Sequence, residues 1–245
     1  SDVCSSDLAH DFAWCVPIAT QCLHAAGSAL AFKIRKEPRV AVTVVGDGGS
    51  SKADFYSAIN VAGAMQLPLV AVIVNNQWAI SVPRSAQTGA KTLAQKGLAG
   101  GLECVQVDGN DIIAMRAVMD HAIKRARHGH GGTVVEAVTY RLSDHTTADD
   151  ARRYRGEQEV KDAWTREPMI RLRAYLESRK LWDDAKEEAW KAECAPRVDE
   201  EINAYLATKP QPVEAMFDTL YAELPADIAG QREEALRLDK RSTGH

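Results

Sequence analysis

The chain has 245 residues, 45% hydrophobic and 26% charged, and a formal net charge of −4 from 30 basic and 34 acidic side chains. Usage this close to the globular average, with only 16 Gly and 9 Pro, excludes a collagenous or disordered chain. The slight acidity argues against a general nucleic-acid-binding surface, and the longest apolar runs are strand-length, too short to cross a bilayer.

The chain opens on SDVCSSDLAH, which has neither a basic n-region nor an apolar h-region and so is not a signal peptide. It matches no structural element, and residues 1–10 are a candidate foreign segment. Residues 17–36 are expected to form a helix, with Pro17 in the first turn and closely spaced alanines at 25–31. VAVTVV at 40–45 is a continuous β-branched run, which predicts a strand buried on both faces of a parallel sheet. After GDGGSSKAD, the spacing of Phe55, Ile59 and Ala62 predicts a helix. Further strands are expected at 69–74, 103–107 and 133–139, with a helix over 112–128 between the last two. Strands alternating with helices predict an α/β fold, a parallel sheet flanked by helices, over residues 1–155. Residues 156–245 are expected to be a helical C-terminal extension, with Pro168 opening an amphipathic stretch and a charged helix over 183–207. Its charge runs have the ordinary explanation of solvated helix faces. The five cysteines (Cys4, Cys15, Cys22, Cys104, Cys194) are odd in number and form no CxxC pair, which points to reduced thiols in a cytosolic protein.

In an open parallel sheet, ligands bind outside the carboxyl ends of the strands. Those ends carry Gly46-Asp47-Gly48-Gly49, Asn75-Asn76-Gln77, Asp108-Gly109-Asn110-Asp111 and Ser143-Asp144-His145. Taken singly, each is an ordinary turn or helix cap. The first two form a more specific pair. Asp47 offers a carboxylate and Asn76 an amide oxygen at successive strand tips, both hard ligands for Mg²⁺ or Ca²⁺. Gly46, Gly48 and Gly49 leave room for backbone N–H groups to approach phosphate oxygens, and the helix after Asp54 adds a favourable dipole. Together they predict a metal-bridged diphosphate. GDGGSS lacks GxGxxG, and no GK[ST] follows, so neither a nicotinamide fingerprint nor a P-loop fits. His128 and His130 lie in HGHGG at a helix end, where a glycine-rich C-terminal turn explains them better than a metal.

GDG, a helix, a strand and then NN, with Asp47 and Asn76 29 positions apart, is similar to the thiamine-diphosphate motif. The stretch GDGGSSKADFYSAINVAGAMQLPLVAVIVNNQWAISVP, with VDGND at 107–111 and TYRLSDHTTADDARRYR at 139–155, resembles the α subunits of 2-oxo acid dehydrogenase E1 components. The resemblance runs from about residue 17 to about residue 240. The C-terminal segment, EPMIRLRAYLESRKLW and then ELP at 223–225, most resembles pyruvate dehydrogenase α subunits of the bacterial α2β2 type. Ala53 stands where glycine is usual, Ser57 where an acid is common, and Asp144 where some relatives have histidine. Relatives also carry a longer segment ahead of the position of Pro17, so the chain is expected to be N-terminally incomplete.

The resemblance implies a thiamine-diphosphate-binding fold. It implies that Mg²⁺ is held by Asp47, the Asn76 side chain and the Trp78 carbonyl, with backbone groups of Gly46, Gly48, Gly49 and Ile80 lining the cofactor. His145 is implied as the active-site histidine near diphosphate and substrate. The implied activity is oxidative decarboxylation of pyruvate with acyl transfer to the lipoyl domain of the E2 acyltransferase. The implied partner is an E1 β subunit, completing an α2β2 heterotetramer in the bacterial cytoplasm. Small residues on the helix over 54–66 (Ala58, Ala62, Gly63, Ala64) allow close packing, either on the chain's own sheet or on that partner. Three alternatives stand beside this. One is a sister enzyme acting on branched-chain 2-oxo acids or acetoin. Another is a non-catalytic binding or assembly subunit. The last is a Mg²⁺-dependent phosphate-ester enzyme on an α/β scaffold.

Overall fold

The computed structural model describes residues 16–242; the candidate foreign segment 1–10, Cys4 and Cys15 lie outside them. The chain divides into two compact units, Ser1–Leu181 and Trp182–His245.

The first unit is built on four parallel strands, β1 (Ala41–Gly46), β2 (Leu69–Asn75), β5 (Glu103–Asp108) and β6 (Thr133–Val138), in the order β1-β2-β6-β5. A two-residue antiparallel pair, β3 (Trp78–Ala79) and β4 (Val82–Pro83), closes the corner after β2. Helices α1 (Thr20–Arg35) and α2 (Ala53–Ala64) cover one face of the sheet, joined by a 3-10 segment, Ala94–Gly100. Helix α4 (Ile112–Arg127) covers the other. Short α3 (Arg84–Gln87) precedes the 3-10 segment; α5 (Glu157–Trp164) and α6 (Pro168–Ser178) complete the unit.

β2 shows why its residues make a central strand. Leu69, Ala71 and Ile73 enter the core under α1 and α2, while Val70 and Val72 enter the core under α4. Both faces are dry, as a β-branched run without polar alternation requires. α2 buries Phe55, Ile59 and Ala62, the three positions that define its period. α4 is started by Asp111, whose carboxylate accepts the N–H groups of Ile113 (2.9 Å) and Ala114 (3.0 Å).

The strand at 40–45 differs from expectation. In β1, Ala41, Thr43 and Val45 are buried, but Val42 is 47% and Val44 53% exposed. β1 is an edge strand, and α4 packs over β5, β6 and β2 instead. The sequence also starts α1 too early. Ala19 adopts a left-handed conformation (φ 72°), so the helix begins at Thr20 and Pro17 lies in the turn before it.

The second unit contains α7 (Asp184–Ala207), α8 (Ala215–Asp218) and α9 (Ala226–Ser242). Asp183 caps α7 by accepting the Lys186 N–H at 2.9 Å, and Arg232 of α9 pairs with Asp218 at 2.8 Å. Cys22, Cys104 and Cys194 are free thiols, and burial pushes Cys22 up. Among the described residues, no helix is long and apolar enough to cross a membrane.

Candidate active site

β1 and β2 run in register with Gly46 beside Val74, so their carboxyl ends lie together. The chain leaving β1 sets Asp47 there, 2% exposed, with its N–H on the Val74 carbonyl at 3.1 Å. A tight turn follows. The Asp47 carbonyl accepts the Ser50 N–H (3.2 Å) and the Ser50 hydroxyl (2.6 Å), and Gly49–Ser51 forms a 3-10 turn. Gln87 donates its Nε2 to the Asp47 carboxylate at 2.7 Å.

The corner after β2 faces this turn. Asn76 Oδ1 accepts the Trp78 N–H at 3.1 Å, an Asx turn. Gln77 (φ 73°) and Ile80 (φ 56°) both hold left-handed backbone. That conformation is unfavourable for a β-branched side chain, and such strain collects at functional corners. A Cβ on Gly48 would stand 2.5 Å from the Cβ of Ala79, so only glycine allows the two corners to approach. A Cβ on Gly46 would meet nothing within 4 Å. The two loops that carry Gly46, Asp47, Gly48, Gly49, Asn76, Trp78 and Ile80 thus end at adjacent strands, and Gly48 touches the second loop directly. The cavity nearby, about 1170 Å³, opens over the ends of β2, β6 and β5 and is lined by Asn75, Gln77, Trp78, Asp108, Thr139 and Tyr140, among others.

The donor atoms of this corner are a carboxylate, a side-chain amide oxygen and a peptide carbonyl. These are hard oxygens of the kind that suit a small divalent cation. Each already has a partner within the chain and retains a lone pair for a second. Among the described residues, no three His, Cys, Asp or Glu side chains gather as a metal group. His128 and His130 sit in a helix-ending turn with left-handed Gly129 and Gly131 (both φ 80°), and His128 Nδ1 contacts the Lys124 carbonyl at 2.7 Å.

The segment after β6 is laced to the same corner. Arg141 Nη1 donates to the Trp78 carbonyl (3.2 Å) and Nη2 to the Ile80 carbonyl (2.9 Å) and the Tyr154 hydroxyl (2.6 Å). Tyr154 stacks at a tilt on Trp78, 5.5 Å between centroids, and donates its hydroxyl to Asp149 at 2.5 Å. Asp149 also accepts the His145 backbone N–H at 2.8 Å, and these two donors hold its carboxyl below the usual range. Asp144 accepts the Ala151 N–H at 2.9 Å, and Arg155 donates to the carbonyls of Arg141, Leu142 and Ser143. His145 is therefore anchored through its backbone while its ring is exposed. On the far side, Arg171 of α6 binds Asp108 (2.7 Å) and Asp111 (3.6 Å). Desolvation pushes the Asp108 carboxyl up, but Arg171 and the Asn110 N–H outweigh it and hold it low.

Several residues at the site went unread in the sequence. Gln87, at the end of short α3, and Arg141, in the segment after β6, sit in polar stretches and gave no signal. Glu136 and Lys96 did give one, each a single charge inside an apolar or small-residue run. Glu136, 1% exposed in β6, accepts from Asn75 Nδ2 (2.7 Å), the Ala94 N–H (3.0 Å) and Gln106 Nε2 (3.0 Å). Burial lowers Lys96 to about 8, Arg84 adds to the effect, and Asp47 and Glu136 oppose it.

The first unit is thus a parallel α/β sheet that sets an Asp turn and an Asn corner at adjacent strand ends. The family can be named more closely: residues 13–214 match the family model described as dehydrogenase E1 component, and the chain belongs to that family. It is 45% identical over 221 residues to the 3-methyl-2-oxobutanoate dehydrogenase subunit alpha of Mycobacterium tuberculosis (strain ATCC 25618 / H37Rv), covering 89% of this chain and 60% of that protein. It is 42% identical over 221 residues to the pyruvate dehydrogenase E1 component subunit alpha of Staphylococcus epidermidis (strain ATCC 12228 / FDA PCI 1200), covering 88% and 59%. The same figures hold for the protein of that name from Staphylococcus aureus (strain COL). The chain thus spans about 60% of the length of the relatives it matches.

Proposed function

We propose that this chain is the α-type half of a thiamine-diphosphate-dependent 2-oxo acid dehydrogenase. The observation that carries it is the Asp47 turn and the Asn76–Ile80 corner, set side by side by β1 and β2 with Gly48 packed against Ala79. Asp47, the Asn76 amide oxygen and the Trp78 carbonyl would hold Mg²⁺, and the backbone of Gly46, Gly48, Gly49 and Ile80 would line the diphosphate. When bound, thiamine diphosphate supplies the carbanion chemistry that lets a 2-oxo acid lose carbon dioxide. The chain's own part is to bind and orient. Asp47 adds an anionic ligand, Arg141 braces the Trp78 and Ile80 carbonyls from behind, and the Asp149–Tyr154 pair fixes the His145 loop. His145 is positioned on an exposed loop to orient substrate or the group being transferred.

The partner is an E1 β subunit in an α2β2 assembly that passes its acyl group to the lipoyl domain of E2. Pyruvate as substrate is supported by the C-terminal resemblance and by the staphylococcal relatives. A branched-chain acid is supported by the mycobacterial relative, whose name specifies 3-methyl-2-oxobutanoate. The test is co-expression with a β-type chain. The purified assembly should reduce an artificial electron acceptor with one of these two acids, only when thiamine diphosphate and Mg²⁺ are present. Turnover of a simple phosphate ester without the cofactor, and none of a 2-oxo acid, would contradict the assignment.

A further inference from the structure

Lys96 lies in the 3-10 segment Ala94–Gly100, which rests directly on the sheet; a Cβ on Gly97 would stand 2.7 Å from Val134 and 2.8 Å from Cys104. Lysine is rarely buried, yet Lys96 is only 5% exposed. Its Nζ has three donors, and it makes three contacts on the turn after β1: the Ser50 carbonyl (2.9 Å), the Ser50 hydroxyl (2.8 Å) and the Ser51 hydroxyl (3.1 Å). The Ser50 hydroxyl relays the contact to the Asp47 carbonyl at 2.6 Å. The Tyr56 ring flanks the ammonium, 5.5 Å from its centroid.

The same short segment also holds the second corner. The Ala94 N–H donates to Glu136, and Glu136 accepts the Asn75 side chain, next to Asn76. Residues 94–96 therefore bracket both strand ends, β1 through Lys96 and β2 through Glu136. An apolar side chain of the same length would fill this space without the cost of burying an ammonium. It could not hold the three oxygens of the turn.

We propose that Lys96 is a positioning residue for a metal–diphosphate ligand, fixing the Asp47–Ser51 turn against the Asn75–Asn76 corner. The inference deepens the function proposed above and rests on it. Lys96 does not touch the ligand. It sets the direction of the Asp47 peptide from behind the turn, through the Ser50 hydroxyl and carbonyl.

The experiment compares wild type, Lys96→Met and Lys96→Arg in the full chain within its native assembly. Calorimetry reads binding of Mg²⁺–thiamine diphosphate, and amide hydrogen exchange without ligand reads residues 47–52. Lys96→Met should weaken binding by about tenfold or more, the range for lost outer-shell support at a metal site. It should speed exchange in 47–52 while the β2 amides stay protected, and Lys96→Arg should restore most of the affinity. If Lys96→Met does not fold, Lys96→Gln is held to the same criterion. Wild-type binding and exchange in the folded Met or Gln variant would overturn the inference. So would equal weakening in the Arg variant with the turn still protected. Should wild type itself take up no Mg²⁺–thiamine diphosphate, the proposed function fails, and the exchange comparison still decides whether Lys96 holds the turn.

Discussion

Asp47 and His145 are held in opposite ways, and their variants should behave differently. Asp47 is buried, with its backbone in the sheet register and its carboxylate against Gln87. His145 is exposed, and only its backbone N–H is fixed, by Asp149. Removing the imidazole therefore leaves no cavity and orphans no buried partner. His145→Ala should unfold at the wild-type temperature but transfer acyl groups to lipoyl-E2 about 10²-fold more slowly, the range for a positioned acid or base. Normal transfer by this variant, measured by acylation of the lipoyl domain, would remove His145 from the mechanism. Arg141 acts at the same scale. It donates to the carbonyls of Trp78 and Ile80, the two that the proposed function puts at the metal and the cofactor. Nothing in the isolated string TYRLS shows that an arginine after β6 reaches back over the corner after β2, because the contact spans 63 positions.

At the level of elements, α2 is held by close backbone approach. A Cβ on Gly63 would lie 1.5 Å from the Gly100 carbonyl oxygen, and Ala58 and Ala62 are buried in the chain's own core. Three of the four small residues on this helix thus serve internal packing, while Ala64 is exposed. Gly63→Ala should push α2 off the 3-10 segment and cost about 1–3 kcal/mol, as overpacking does; urea unfolding measures it, and an unchanged midpoint would contradict the packing. The order of strands and helices was legible in the sequence because β2, α2 and α4 carry their periods and caps openly: LVAVIV, the Phe55–Ile59–Ala62 spacing, and Asp111 before Ile112. The exposure of β1 was not legible. VAVTVV reads as a strand covered twice, and only the sheet order shows that it is an edge strand which α4 leaves open. The site divided the same way. The Asp47 and Asn76 pair stood out through motif and spacing. Lys96 and Glu136 become meaningful only once residues 94–96 are seen beneath both corners.

Across the whole molecule, the dehydrogenase E1 component family covers residues 13–214, while the matched relatives are longer than this chain. Among the described residues, Val42 and Val44 remain open on the face of β1 away from α1, on the strand that leads into Asp47. The second unit carries apolar residues at Val198, Ile202, Tyr205 and Leu206 that are also exposed. The central claim, that two adjacent strand ends hold a metal-bridged diphosphate, depends on neither surface. Its most direct test is calorimetric titration of thiamine diphosphate, with and without Mg²⁺, into the wild-type chain and Asp47→Ala within the native assembly. Wild type should bind only when Mg²⁺ is present, and Asp47→Ala should bind at least about 10²-fold more weakly, since it loses an anionic metal ligand outright. Equal, Mg²⁺-dependent binding by both proteins would contradict the assignment of Asp47 and the site built around it.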